Sequence, residues 1–181
     1  MIKNSEHSYG LVAKLMHWLM ALAVIGLFAL GLYMVELDYY DRLYRTLPHI
    51  HKSIGILLFA VLIGRLLWRR FNPQPKPQGS PAERRIAHWV HMALYLLMVA
   101  IMVSGYLIST ADGRAIEVFN WFEVPATLAD IDGQEDIAGD IHEWLAWTLI
   151  ALVALHALAA LKHHFIDKDN TLKRMTFFKG E

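Results

Sequence analysis

The chain has 181 residues, 56% of them apolar, and its 17 basic and 17 acidic residues cancel to a formal charge of zero. This length suits one domain, the composition sits with membrane proteins, and nothing in the charge total points to a nucleic-acid partner. Cysteine is absent, which excludes disulfides, thiolate-bound zinc, iron–sulfur clusters and covalently attached c-type haem, so a redox centre here has to be held by other side chains.

The first apolar run is LMHWLMALAVIGLFALGLYMV, residues 15–35, in which His17 is the one residue of a type that ionises near neutral pH. At about 1.5 Å per residue such a run crosses a hydrocarbon core of about 30 Å. It is too long for a typical signal-peptide apolar region, carries a histidine and lacks a clear A-x-A site, so an uncleaved membrane helix is predicted over about 11–35. The second run, His51 to Trp68, carries Arg65 near its end, where a long side chain can snorkel to the interface. Its helix is expected over about 49–70, with Pro48 at the first-turn position. FNPQPKPQGSPAERR follows, a loop with four prolines that ends in a helix start at Ser80-Pro81. The third run, Ile86 to Ile108, is interrupted by His88, His91 and Ser104, giving a helix over about 82–109. The long stretch from Ser109 to Asp140 holds STADG, VPATLAD and DGQED and has room for a short surface helix. A fourth run, Ile141 to Leu161, contains His142, Glu143 and His156 and predicts a helix over about 141–165. With no internal repeat, low-complexity tract or linker, residues 1–181 read as a single all-α membrane domain, a four-transmembrane-helix up-down bundle.

Basic residues are segregated. The N-terminal arm, the proline-rich loop and the C-terminal tail carry 13 of the 17 lysines and arginines, leaving Arg42, Arg45, Lys52 and Arg114 on the other side. The positive-inside rule therefore puts both termini in the cytoplasm. The opposite side holds 12 of the 17 acids, which supports the sidedness only weakly because acids contribute little to orientation.

Ionisable residues within a span are functional candidates, since burying them unpaired is costly. His142 and His156 are fourteen residues apart, close to four turns, so they share a face of the fourth helix about 21 Å apart. His17 lies about 9 Å above the cytoplasmic start of the first helix, level with His156. His51, at the outer start of the second helix, is level with His142. Two stacked pairs of imidazoles, His17/His156 and His51/His142, each drawn from two helices, are what two six-coordinate haems require in a bundle core.

Other histidines compete. His49 and His51 lie about 200° apart on a helix, so only one faces the bundle, and His51 is the deeper. His91, about 7 Å inside the boundary, competes with His17 and His156 as inner ligand. His163 and His164 leave the fourth helix at the cytoplasmic side. They are either solvated neighbours of Lys162 or, with His91 nearby, a proton-exchanging quinone site, since histidine titrates near neutral pH. No H-E-x-x-H, G-x-S-x-G or P-loop occurs.

HWLMAL, LPHIHKSIGILL, HMALYLL, IHEWLAW and LHALAALKHHFIDKDNTLKRM resemble the bacterial cytochrome b561 family, four-helix dihaem cytochromes of the inner membrane, over nearly the whole chain. ISTADG and VFNWFEVPATLAD look most like a branch paralogous to the superoxide-oxidising member. The resemblance implies two b-type haems with axial ligands His17, His51, His142 and His156. It also implies a site near the inner haem for ubiquinone or menaquinone, where the HHF stretch places His163. The expected function is transmembrane electron transfer between a periplasmic donor or acceptor and the quinone pool. The outer-loop aromatics Tyr39, Tyr40, Tyr44, Trp121 and Phe122 read, for most of them, as an ordinary interfacial belt; the alternative is that, with the loop acids, they form a docking face for a soluble periplasmic redox or lipid-binding protein. Superoxide is the less favoured substrate, because Asp130, Asp132, Glu135, Asp136 and Asp140 work against steering an anion inward. The rivals are a cytochrome b anchor of a larger dehydrogenase or hydrogenase, and a haem-free transporter whose histidines handle metal ions or protons.

Overall fold

The computed structural model describes residues 1–177. Its elements are α1 (Leu11–Met34), α2 (Thr46–Phe71), α3 (Pro81–Thr110), β1 (Ile116–Val118), β2 (Phe122–Val124), α4 (Gln134–Phe165) and the single turn α5 (Thr171–Met175). The four long helices have the length and apolarity to cross a membrane. In hydrocarbon every backbone N–H and C=O must be satisfied within the chain, and an unbroken helix does this residue by residue. Leu15, Leu19, Leu22 and Ile25 of α1 stand exposed, as lipid-facing side chains do.

Helix starts follow from local chemistry. At α3, Ser80 Oγ accepts from the Glu83 amide (3.3 Å) and Glu83 Oε2 accepts from the Ser80 amide (2.8 Å), with Pro81 at the first helical position. α2 begins at Thr46 rather than near residue 49. Pro48 is inside its first turn, where the missing N–H has no intrahelical acceptor to lose. α4 begins at Gln134, well before the apolar run at Ile141, behind a left-handed Gly133 (φ 70°) and with Glu135 and Asp136 in the first turn, where the helix dipole favours acids.

Between α3 and α4 the expected surface helix is replaced by this extension of α4 and by an antiparallel hairpin. Its register pairs Ile116 with Val124, Glu117 with Glu123 and Val118 with Phe122. Residues 119–121 join the strands: Phe119 (φ 47°) and Asn120 (φ 58°) are both left-handed, a backbone that follows the strands' twist, and the Trp121 amide donates to Val118 O at 2.8 Å. Ile116 and Val118 are buried and Glu117 is exposed. Ser53 of α2, itself buried, accepts from the Phe119 amide at 3.1 Å and so pins the hairpin over the start of α2.

At the other end of the bundle the N-terminal arm, the α2–α3 loop and the C-terminal tail knit together. Asn4 Nδ2 donates to Pro73 O (3.0 Å), Lys14 Nζ to Thr176 O (2.7 Å), Trp18 Nε1 to Met175 O (2.8 Å) and Arg174 Nη1 to Lys76 O (2.8 Å). These two ends are called here the hairpin side and the termini side. α1 packs closely with α2 and α3 with α4, while contact between the two pairs is sparser. The buried core, Met20, Leu58, Leu62, Met98 and Leu149, lies at mid-depth. Lipid is as apolar as these side chains, so their close fit, rather than exclusion from water, is what they contribute.

Candidate functional site

One interval organises the interior. Fourteen residues make nearly four turns, so two positions that far apart share a helix face about 21 Å apart. The interval separates His17 from Gly31 on α1, His51 from Arg65 on α2, His91 from Gly105 on α3 and His142 from His156 on α4. Because the helices alternate in direction, these eight residues fall into two levels. Gly31, His51, Gly105 and His142 lie on the hairpin side, and His17, Arg65, His91 and His156 on the termini side. Midway between them are Val24, Leu58, Met98 and Leu149; the last three belong to the core and Val24 packs against it. An apolar plug therefore separates two polar levels.

On the hairpin side the rings of His51 and His142 lie 6.2 Å apart, centre to centre, with planes crossed at 66°. Gly105 backs His142: a Cβ there would come within 3.0 Å of His142 Cε1 and 3.3 Å of Nδ1. Gly31 faces His51, where a Cβ would meet Cε1 at 3.6 Å. Ser104 Oγ donates to Ile101 O (2.9 Å) and lies 3.0 Å from His142 Nδ1. With its own proton committed, the hydroxyl accepts from Nδ1–H, which leaves the Nε2 lone pair available to a metal.

On the termini side His17 and His156 are again 6.2 Å apart, at 71°. His91 lies closer to His156, at 5.2 Å and 66°. Arg65, expected to snorkel outward, instead turns into the bundle, where Tyr95 of α3 offers an acceptor: Nε donates to Tyr95 Oη at 2.9 Å. Its Nη1 is buried without a partner among the described residues.

Imidazole–metal bonds of about 2.0–2.1 Å, plus about 1.1 Å from nitrogen to ring centre on each side, put two axial histidines of one iron roughly 6.3 Å apart between ring centres. Both cross-helix pairs, at 6.2 Å, meet that requirement. The His91–His156 spacing of 5.2 Å is too short for it. Rings sharing an axis through a metal can rotate about it, so crossed planes are compatible. The donor set is suitable as well, since neutral imidazoles in a dry bundle interior are haem ligands. These residues fit a haem at each level.

The remaining histidines serve elsewhere. His49 meets the Phe119 ring of the hairpin at 6.3 Å, and exposed His88 lies edge-on to Trp89 at 5.8 Å. His163 Nδ1 lies 2.8 Å from Asp169 Oδ2 and 3.1 Å from Asp167 Oδ2, and its ring packs over Gly79 (φ 85°). Burial pushes the Asp169 carboxyl up, but hydrogen bonds from Thr171 and the neighbouring His163 outweigh it and hold the group below the usual carboxylate range. Lys162 bridges Glu83 (2.6 Å) and Asp167 (2.8 Å), so one ammonium is shared between two carboxylates beside His163. His164 Nδ1 is buried without a partner among the described residues. The three quinone candidates thus meet different surroundings: His91 faces His156, His163 joins the termini-side cap and His164 stacks edge-on to Phe165. A groove of about 820 Å³ runs along the outside of α3 and α4 between Ala93, Ala100, Trp147 and Ala151, and none of the histidines lines it.

Gly31, Gly105, Ser104 and Arg65 escape a reading based on ionisable residues and depth alone. The signal that finds them is the same fourteen-residue interval, applied from the histidines outward.

The profile of the family described as Prokaryotic cytochrome b561 matches residues 8–178. The chain is 56% identical over 174 residues to cytochrome b561 homolog 2 of Escherichia coli (strain K12), covering 95% of this chain and 93% of that protein. It is 34% identical over 163 residues to "Probable superoxide oxidase CybB" of Yersinia pestis, covering 88% and 90%. To cytochrome b561 homolog 1 of E. coli it is 30% identical over 134 residues, covering 73% and 76%.

Proposed function

Since the chain belongs to the prokaryotic cytochrome b561 family, multi-pass bacterial inner-membrane proteins that transfer electrons through haem b, we propose that it carries two such haems and links a periplasmic partner to the quinone pool. The observation that carries this reading is the repetition of one spacing: two cross-helix histidine pairs, each 6.2 Å apart, on either side of the Leu58, Met98 and Leu149 plug. His51 and His142 would hold one haem, His17 and His156 the other. Bound haem supplies reversible one-electron chemistry at its iron. The protein's contribution is to orient the imidazoles, to exclude water with the plug, and to set the two levels about 21 Å apart along α4.

The basic-residue bias argues for the termini side as cytoplasmic. A ubiquinone or menaquinone accepting two electrons there would take up two protons, and the contacts of His163 with Asp167 and Asp169 support a role for it in passing them. On the periplasmic side, exposed Tyr39, Tyr40, Trp121 and Phe122 among acidic loops form the face for a soluble redox or lipid-binding protein. Superoxide fits this face poorly. Arg114, the lone basic residue of the long loop, is paired with Asp112, and Glu117 and Glu123 stand opposite each other on the hairpin. An anion would meet net negative charge.

The test is a reduced-minus-oxidised spectrum and haem per polypeptide on the purified chain in detergent. Two b-type haems per chain are expected. One would remove a histidine pair from the proposal, and none would leave a haem-free, histidine-bearing transporter as the better account.

A further inference from the structure

Arg65 presents an uncompensated charge. It lies six residues, about 9 Å, inside the termini-side end of α2, at a depth where a cation needs a named partner. Its side chain is anchored, with Nε on the Tyr95 hydroxyl at 2.9 Å, yet Nη1 is buried and unpartnered among the described residues. Trp68 Nε1, three residues further along the same face of α2, is a second buried donor without an acceptor there.

The described acids on the termini side are all engaged elsewhere. Glu6 pairs with Lys76, Glu83 and Asp167 share Lys162, and Asp169 takes His163 and the Thr171 amide. Among the described residues no carboxylate is left for Arg65. What the level itself would hold does carry carboxylates: haem b bears two propionates, and Arg65 occupies the same level as His17 and His156. A guanidinium presents its donors as a fork matched to a carboxylate, and pre-anchoring at Nε reduces the freedom lost on binding.

We propose that Arg65, held by Tyr95, binds a propionate carboxylate of the haem at the His17/His156 level, with Trp68 Nε1 as an auxiliary donor. This rests on the two-haem reading and adds a binding residue to it. It also makes the levels unequal, because the positions facing the hairpin-side pair from α1 and α3 are glycines and carry no cation.

The experiment compares wild type with Arg65→Gln, full-length chains made in haem-deficient cells and reconstituted in detergent with either protohaem or its dimethyl ester, whose propionates are blocked. With protohaem, Arg65→Gln is expected to bind the second haem at least tenfold more weakly. The midpoint potential of that haem should fall by about 59 mV or more, a tenfold change in the one-electron constant. The first haem should not change. With the dimethyl ester, wild type and variant should bind the second haem with equal affinity. Equal binding of protohaem by the two chains, or the same wild-type-to-variant difference in affinity with both haems, overturns the arginine's role and leaves the two-haem reading standing. A wild type that takes up no haem overturns both. Should Arg65→Gln lose helical content by circular dichroism, Arg65→Lys decides. It keeps the charge and loses the fork, so its defect should be intermediate with protohaem and absent with the ester; any other pattern overturns the assignment.

Discussion

The two histidine levels are laid out on one fourteen-residue interval and filled in opposite ways. On the hairpin side the positions flanking His51 and His142 are Gly31 and Gly105, and Ser104 fixes the tautomer of His142. On the termini side the equivalent positions are Arg65 and His91, which crowd His17 and His156 with polar groups. A helical repeat can thus place histidines at matched depths without matching their surroundings. With a haem at each level, as proposed, the surroundings rather than the ligands would distinguish the two.

The widest break between the levels comes from removing a proposed ligand. His142→Ala should lower haem from two to one per polypeptide by losing the hairpin-side haem, and His17→Ala should do the same on the termini side. The double variant should hold none. Haem analysis of the three chains checks this. His17→Ala retaining two haems would mean that His91 and His156 serve as a pair, which their 5.2 Å separation argues against.

Ser104→Ala should act on one level only. Loss of an outer-sphere hydrogen bond to a metal-bound histidine usually costs about 10–100-fold in affinity. Weaker retention of the hairpin-side haem is therefore expected, with the His17/His156 level unaffected. Competition with an apo-protein acceptor measures it. Loss at both levels, or at neither, would show that the serine is only packing α3 against α4.

Much of this was legible beforehand, because hydrocarbon thickness and the helical repeat are rigid rulers. Four spans and two level pairs follow from counting residues, and the structure places His17 beside His156 and His51 beside His142. Where counting misled, hydropathy was standing in for hydrogen bonding. The α4 helix continues outward through the polar QEDIAGD, since backbone bonding does not stop where apolarity does. The IEVFNWFEV hairpin alternates over too few residues to stand out, and Ser53 of α2 is what docks it. Arg65 looked like a snorkelling interfacial residue because its acceptor, Tyr95, is thirty positions away in sequence. The glycines were silent for a simpler reason: a residue without a side chain offers no chemistry to notice, only room.

That room gives the smallest and sharpest contrast. Both glycines lie inside helices, where alanine is worth about 0.8–1.0 kcal/mol over glycine by intrinsic propensity. At Gly31 the new methyl would sit 3.6 Å from His51 Cε1, an ordinary contact. Gly31→Ala should therefore keep both haems and leave thermal stability unchanged or raised by up to about 1 kcal/mol. At Gly105 the methyl would lie 3.0 Å from Cε1 and 3.3 Å from Nδ1 of His142, inside contact distance. The ring cannot yield without straining its bond to Ser104, so the propensity gain is opposed by crowding that costs typically 1–3 kcal/mol. Gly105→Ala should lower haem retention on the hairpin side, shift the potential of that haem alone, and lose stability despite the better helix former. Thermal melts and redox titrations of the two variants side by side decide it. Equal behaviour at the two positions would mean that the glycines serve helix packing and that the hairpin-side level is not shaped around its histidines.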